Sequence, residues 1–195
     1  AAGTKFSDSW TGKDVLFEPG YPADSTETTW ESNYNNGIWT YERWTDVEGF
    51  EGATLFNDNT ASYTDPRQGG AGTCYLISAI STAAEWPSLI TDMFLTGTDM
   101  SGPDAGIVGI QFYIRGKPWV VTIDDKLFWY EGGDYKYLKF NQPDATESVM
   151  WAPILEKAWA KVKGNYESSE GGFVVSGLRA ITGAPVFTYK TSDVG

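Results

Sequence analysis

The chain has 195 residues, 41% of them apolar and 15% aromatic, enough to bury the core of one globular domain. Fourteen Lys and Arg against 26 Asp and Glu leave a formal charge of -12, which repels nucleic-acid phosphates and anionic bilayers, so a polyanionic partner is excluded. The sequence contains no histidine, which removes Ser-His-Asp and Cys-His chemistry and ordinary zinc sites from within this chain. No apolar run approaches the roughly 20 residues that span a bilayer. AAGTKFSDSW at the start lacks a basic stretch followed by an apolar one, and a lone cysteine forms no internal disulfide, so the expectation is an unsecreted, cytoplasmic protein.

In chain order, residues 1–65 are rich in turn formers, with Pro19, Gly20, Pro22, Asn35, Asn36 and Gly37 punctuating short aromatic segments. This predicts irregular chain with short helical turns, and the polar stretch 23–37 reads as an exposed loop. From Cys74 to about Ala84, Leu76, Ile77, Ile80, Ala83 and Ala84 recur at the spacing of a buried helix face, and Pro87 ends the run. A second helix is predicted over 87–95, opening on that proline and stopping before Gly97. Two β-rich runs, 106–115 and 117–129, joined at Arg115, Gly116 and Lys117, predict a hairpin. The segment 149–164 carries Met150, Ile154, Ala158 and Val162 four apart, with Gly164 as a natural C-cap, and is the clearest helix. A short helix over 174–181 and a strand over 184–189 complete the reading, an α+β fold in a single domain spanning 1–195.

The stretch QGGAGTC, residues 68–74, places the single thiol after three glycines and ahead of the apolar helix. A thiol at a helix N-terminus meets unpaired N–H groups and the positive end of the macrodipole, both of which favour a thiolate. The Gln68 side-chain amide and the Cys74 backbone N–H would converge as an oxyanion hole for acyl transfer. A lone cysteine before an apolar helix also fits a small buried hydrophobe, and residue type and spacing leave both readings open. No Lys-Ser/Thr follows the glycines, which excludes a phosphate-binding P-loop.

QGGAGTCYLISA resembles the active-site cysteine motif of papain-like proteases, and in its Q-G-x-x-G-x-C form that of the calpain family. Three more stretches resemble calpains in the same order: FEPGYPAD at 17–24, the hairpin GIVGIQFYIRGKPWVVTIDDKLFW ending near Asp124 and Asp125, and WAPILEKAWAKVKGNYESSEGG with its glycine pair. The likeness runs from about Phe17 to Tyr189. It implies the first, cysteine-bearing subdomain of a calpain catalytic core, with a central helix starting at the nucleophile.

By that resemblance Cys74 is the nucleophile, Gln68 the oxyanion-hole glutamine, and Gly171 and Gly172 the pair that meets a polypeptide substrate. Tyr75 stands where calpains usually carry Trp. The resemblance also implies a second subdomain supplying His and Asn as a partner. The expectation is that this chain is half of a cysteine endopeptidase core, inactive alone. A calcium ion is implied too, with Asp65 in one acidic ligand position and Val149 where the family has a glutamate, Glu147 and Ser148 standing nearby. Loss of that carboxylate predicts weakened binding of a hard cation. The alternatives are a non-catalytic calpain-like scaffold, and a peptide- or carbohydrate-binding module that uses the nine Trp and eleven Tyr.

Overall fold

A computed structural model of the chain describes residues 5–17, 25–50, 52–96, 106–131, 136–138, 140–141, 149–187 and 189. Most of FEPGYPAD, together with Glu147 and Ser148, lies outside the described residues. Helix α1 (Lys13–Leu16) buries Val15 and Leu16. The polar stretch predicted as a loop is instead helix α2 (Ser25–Asn35). Trp30 and Tyr34, four residues apart and therefore on one face, reach the aromatic core, Trp30 against Phe140 at 5.2 Å and Tyr34 against Phe128 at 5.9 Å. These two rings hold down a helix whose remaining residues are almost all polar, so periodic hydrophobicity gave little sign of it.

The irregular reading of residues 1–65 also gives way at strand β1 (Trp39–Arg43). Helix α3 spans Cys74–Ala83, and the second predicted helix shrinks to the single turn α4 (Ser88–Thr91). After it the chain becomes strand β2 (Phe94–Thr96), whose Phe94 is buried while Leu95 is 50% exposed, the alternation of a strand. Strands β3 (Ile107–Ile114) and β4 (Lys117–Asp124) form the predicted hairpin, paired from Ile107 with Asp124 to Ile114 with Lys117. Arg115 and Gly116 take positive φ at its turn. Strands β5 (Lys126–Glu131) and β6 (Lys136–Leu138) follow, then helix α5 (Trp151–Lys163), which ends at Gly164 with φ +115°. Helix α6 (Val174–Thr182) ends at a left-handed Gly183. The strand predicted over 184–189 is not found among the described residues of that segment, where Phe187 and Tyr189 stand exposed with no neighbouring strand.

Among the described residues the strands make two antiparallel three-stranded sheets, ordered β1-β5-β6 and β2-β3-β4. Helix α5 packs against both, and its residues from Trp151 to Ala160 are all buried. One apolar cluster joins α3, α5, α6 and the β2-β3-β4 sheet. A second, mostly aromatic, joins α1, α2 and the other sheet, with Phe140 stacked on Tyr166 at 4.1 Å.

The chain passes from one sheet to the other at Asp124 and Asp125, both fully buried. The Lys157 ammonium of α5, equally buried, ion-pairs with Asp124 Oδ1 and donates to the carbonyls of Asp124 and Lys126 at 2.9 and 2.8 Å. Asp124 also accepts from the backbone N–H groups of Asp8 and Lys126 at 3.0 and 3.2 Å. Burial works against its charge, but Lys157 and these donors outweigh it and hold the carboxyl below the usual carboxylate range. Asp125 pairs with Arg43 of β1. Removing one partner of a buried pair leaves the other charge uncompensated, so Lys157→Met should cost about 3–5 kcal/mol in urea unfolding.

The neighbouring Glu156 is also buried, and its two oxygens accept from Thr73 Oγ1 and from the Asn141 N–H, the latter at 2.8 Å. Burial outweighs those hydrogen bonds and raises its pKa from 4.5 to about 7. The folded chain therefore keeps a proton that the unfolded chain releases between pH 4.5 and about 7. The stability this group confers is complete below pH 4.5 and is lost as pH rises through about 7. We expect unfolding free energy to fall by roughly 3 kcal/mol across that window from this residue alone, and Glu156→Gln to flatten the slope in denaturation curves taken at several pH values.

Candidate active site

Cys74 is exposed and is the first residue of α3. The carbonyl of Thr73 accepts from the N–H groups of Leu76 and Ile77 at 2.8 and 3.0 Å, which makes Thr73 the N-cap. Its hydroxyl does not cap the helix. It turns inward and donates to Glu156, so Thr73 itself offers the first turn of α3 no side-chain acceptor.

The loop ahead of the cysteine is held from three sides. A Cβ on Gly69 would collide with the Phe140 carbonyl, so only glycine passes there. The Arg67 N–H donates to Asn141 Oδ1 at 3.4 Å. The Gly72 N–H donates to Glu170 Oε1 at 2.8 Å, and the Gly72 carbonyl accepts from the Gly171 N–H at 2.9 Å. This last pair brings the predicted glycine segment alongside the cysteine loop. Gly171 has φ +68°, and a Cβ on Gly172 would stand 2.7 Å from the Tyr75 ring.

Tyr75 is fixed at its far end: its hydroxyl donates to the Ser169 carbonyl and accepts from Trp159 Nε1, both at 2.8 Å. Burial raises its pKa, the indole hydrogen bond opposing. The residue after the cysteine is thus a strut between α3, α5 and the turn before the glycines. Phe173, next to Gly172, is 77% exposed.

Gln68 is exposed, and its side-chain amide folds back to donate to the Ala71 carbonyl, with the Gly69 carbonyl 3.5 Å away. The sequence expectation aimed that amide at the point faced by the Cys74 backbone N–H, whereas here it serves the loop's own carbonyls. Rotation of an exposed side chain separates the two placements.

Asp65 lies elsewhere, beneath the start of α5. It is 5% exposed, and its Oδ2 accepts from Trp151 Nε1 at 2.6 Å and from the Ser62 N–H at 2.8 Å. Val149 pairs in a parallel bridge with Thr54, its side chain fully buried. Among the described residues no group of three His, Cys, Asp or Glu converges. One carboxylate already committed to two N–H donors, with a valine at the other predicted position, is a poor fit to the roughly six to eight oxygens a calcium ion takes.

Sequence reasoning missed Glu156, Glu170, Asn141 and Thr73. Glu156 and Lys157 left a signal: they interrupt a helix whose apolar residues occur on both sides of them, so no solvent face remained to take the charges. Of the aromatics that the binding-module alternative would use, six of the nine tryptophans are buried, together with Tyr75 and Tyr166. No helix among the described residues is long and apolar enough to cross a membrane.

A family model for calpain family cysteine proteases matches residues 17–194. Calpain-8 of Rattus norvegicus is 36% identical over 124 residues, 63% of this chain and 17% of the relative. Calpain-1 catalytic subunit of Macaca fascicularis is 32% identical over 130 residues, 67% of this chain and 18% of the relative. Calpain-B of Drosophila melanogaster is 28% identical over 188 residues, 95% of this chain and 19% of the relative. The chain spans less than a fifth of the length of these curated relatives. With the family match covering nearly the whole sequence, and an α+β fold in which a helix begins at the single cysteine, the chain belongs to the calpain family of cysteine proteases.

Proposed function

We propose that this chain is the cysteine-bearing half of a calpain-type endopeptidase core, with Cys74 as nucleophile toward peptide carbonyls. The observation that carries the reading is an exposed thiol at the uncapped start of α3, with the glycine segment 171–172 hydrogen-bonded alongside through Gly72. An extended substrate chain would lie along that segment, where Gly171 and Gly172 present backbone without side chains. The Cys74 N–H and the Gln68 amide, once rotated off Ala71, would receive the oxyanion.

Sulfur attack on the carbonyl carbon breaks the C–N bond only if the departing nitrogen gains a proton. This chain has no histidine to supply it. A second segment bearing His and Asn is the partner this reading requires, and general acid–base help of that kind is worth about 10²- to 10⁴-fold. The chain alone should alkylate at Cys74 in its native state, label at no other site, and turn over no fluorogenic peptide. Turnover should appear on addition of the matching His/Asn subdomain and vanish in Cys74→Ala. Cys74-dependent turnover by the chain alone would refute the division of labour, and silence of a mixture whose halves associate would make the chain a scaffold.

We also infer that calcium binds this chain weakly, because Asp65 is spent on Trp151 and Ser62 and Val149 offers no side-chain oxygen. Titration calorimetry with calcium should give no transition in the micromolar range of sensor sites. A micromolar site would mean that other oxygens, such as Glu147, complete it.

A further inference from the structure

We propose that Glu156 is a positioning residue for the nucleophile loop, one buried carboxyl group whose two oxygens fasten both ends of the stretch from Arg67 to Cys74. The inference rests on the reading of Cys74 as nucleophile. At one end, Oε1 accepts from the hydroxyl of Thr73, the residue directly before the cysteine. At the other, Oε2 accepts from the Asn141 N–H at 2.8 Å, and Asn141 Oδ1 in turn accepts from the Arg67 N–H, next to Gln68. Between these anchors Gly69 rests against the Phe140 carbonyl, so the loop is pinned to the segment that Glu156 itself holds.

The side chain comes from α5, a helix buried at every residue from Trp151 to Ala160, so the anchor does not move with the surface. An acidic residue here contributes little to packing that Gln or Met would not, and its charge is costly to bury. Its two partners are not equivalent. The Asn141 N–H can only donate, whereas the Thr73 hydroxyl can donate or accept. When Glu156 takes up a proton, that proton therefore faces Thr73, and the hydroxyl must reverse to accept it. The change is delivered to the N-cap of α3, one residue from the thiol. The other ionisable groups whose fields meet this carboxyl are the hydroxyls of Tyr75 and Tyr166, both buried with raised pKa. Lys157, next to it on α5, is lowered by burial to about 8 and also titrates in this range, but its ammonium pairs with Asp124 rather than with Thr73, so Thr73→Val separates the two.

The test uses the rate of Cys74 alkylation by iodoacetamide between pH 5.5 and 9, which needs no peptidase turnover. In the wild-type chain the profile should show a step near pH 7 of about two- to tenfold, the range a single hydrogen bond carries, superimposed on ordinary thiol ionisation. Glu156→Gln and Thr73→Val should both lose that step, and Thr73→Ser, which keeps the hydroxyl, should retain it. Loss of packing alone would shift the whole curve without removing an inflection. Thr73→Val decides the question if Glu156→Gln does not fold. Superimposable profiles for wild type and Thr73→Val would overturn the proposal. Silence toward peptides would bear on the proposed activity only, because the alkylation profile is measured without it.

Discussion

Everything near the thiol depends on a helix that is buried while carrying two ionisable side chains, Glu156 and Lys157. A charge inside a protein survives only if partners replace the water it gave up. For Lys157 those partners are the Asp124 carboxylate and two backbone carbonyls at the point where the chain leaves one sheet and joins the other. The pair fixes α5 to that crossover, and Asp125 with Arg43 fixes the same crossover to β1. Two small sheets, already in contact through a common apolar cluster, are thereby tied at this crossover by four side chains.

With α5 so anchored, its other buried groups become reference points. Trp151 donates to Asp65 and orders the turn before the cysteine loop, Glu156 holds the loop's two ends, and Trp159 holds Tyr75. The site is built outward from one helix. Gly171 and Gly172 stand exposed without side chains, while the rigidity lies in the layer behind them. Such an arrangement suits nucleophilic attack, which needs a mobile partner brought to a fixed atom.

The sequence revealed what periodicity and spacing can carry. The start of α3 at Cys74, the β3–β4 hairpin with its turn at Arg115 and Gly116, and the long apolar helix ending at Gly164 were all legible, since each combines a hydrophobic period with a glycine or turn signal. Helix α2 was not, because its stability comes from two aromatic rings docking on distant strands rather than from an apolar stripe. The pairing of β2 was hidden for a related reason: Phe94 and Thr96 are strand residues only because β3 lies beside them. At the site, a motif located the thiol and the glycines. The hydrogen bonds that join them, Gly171 to Gly72 and Tyr75 to Ser169, cross nearly a hundred residues and leave no local mark.

That separation bears on how the molecule comes to be made. Thr73 waits for a partner 83 residues further on, and Tyr75 for one 94 residues further on. During synthesis the cysteine loop and α3 leave the ribosome long before α5 and the glycine segment exist. Contacts between remote segments form late, because the loop they close must first lose its entropy. A nascent chain therefore carries its thiol on an unbraced loop, and the cysteine loop is braced only when α5 and the glycine segment have emerged and docked.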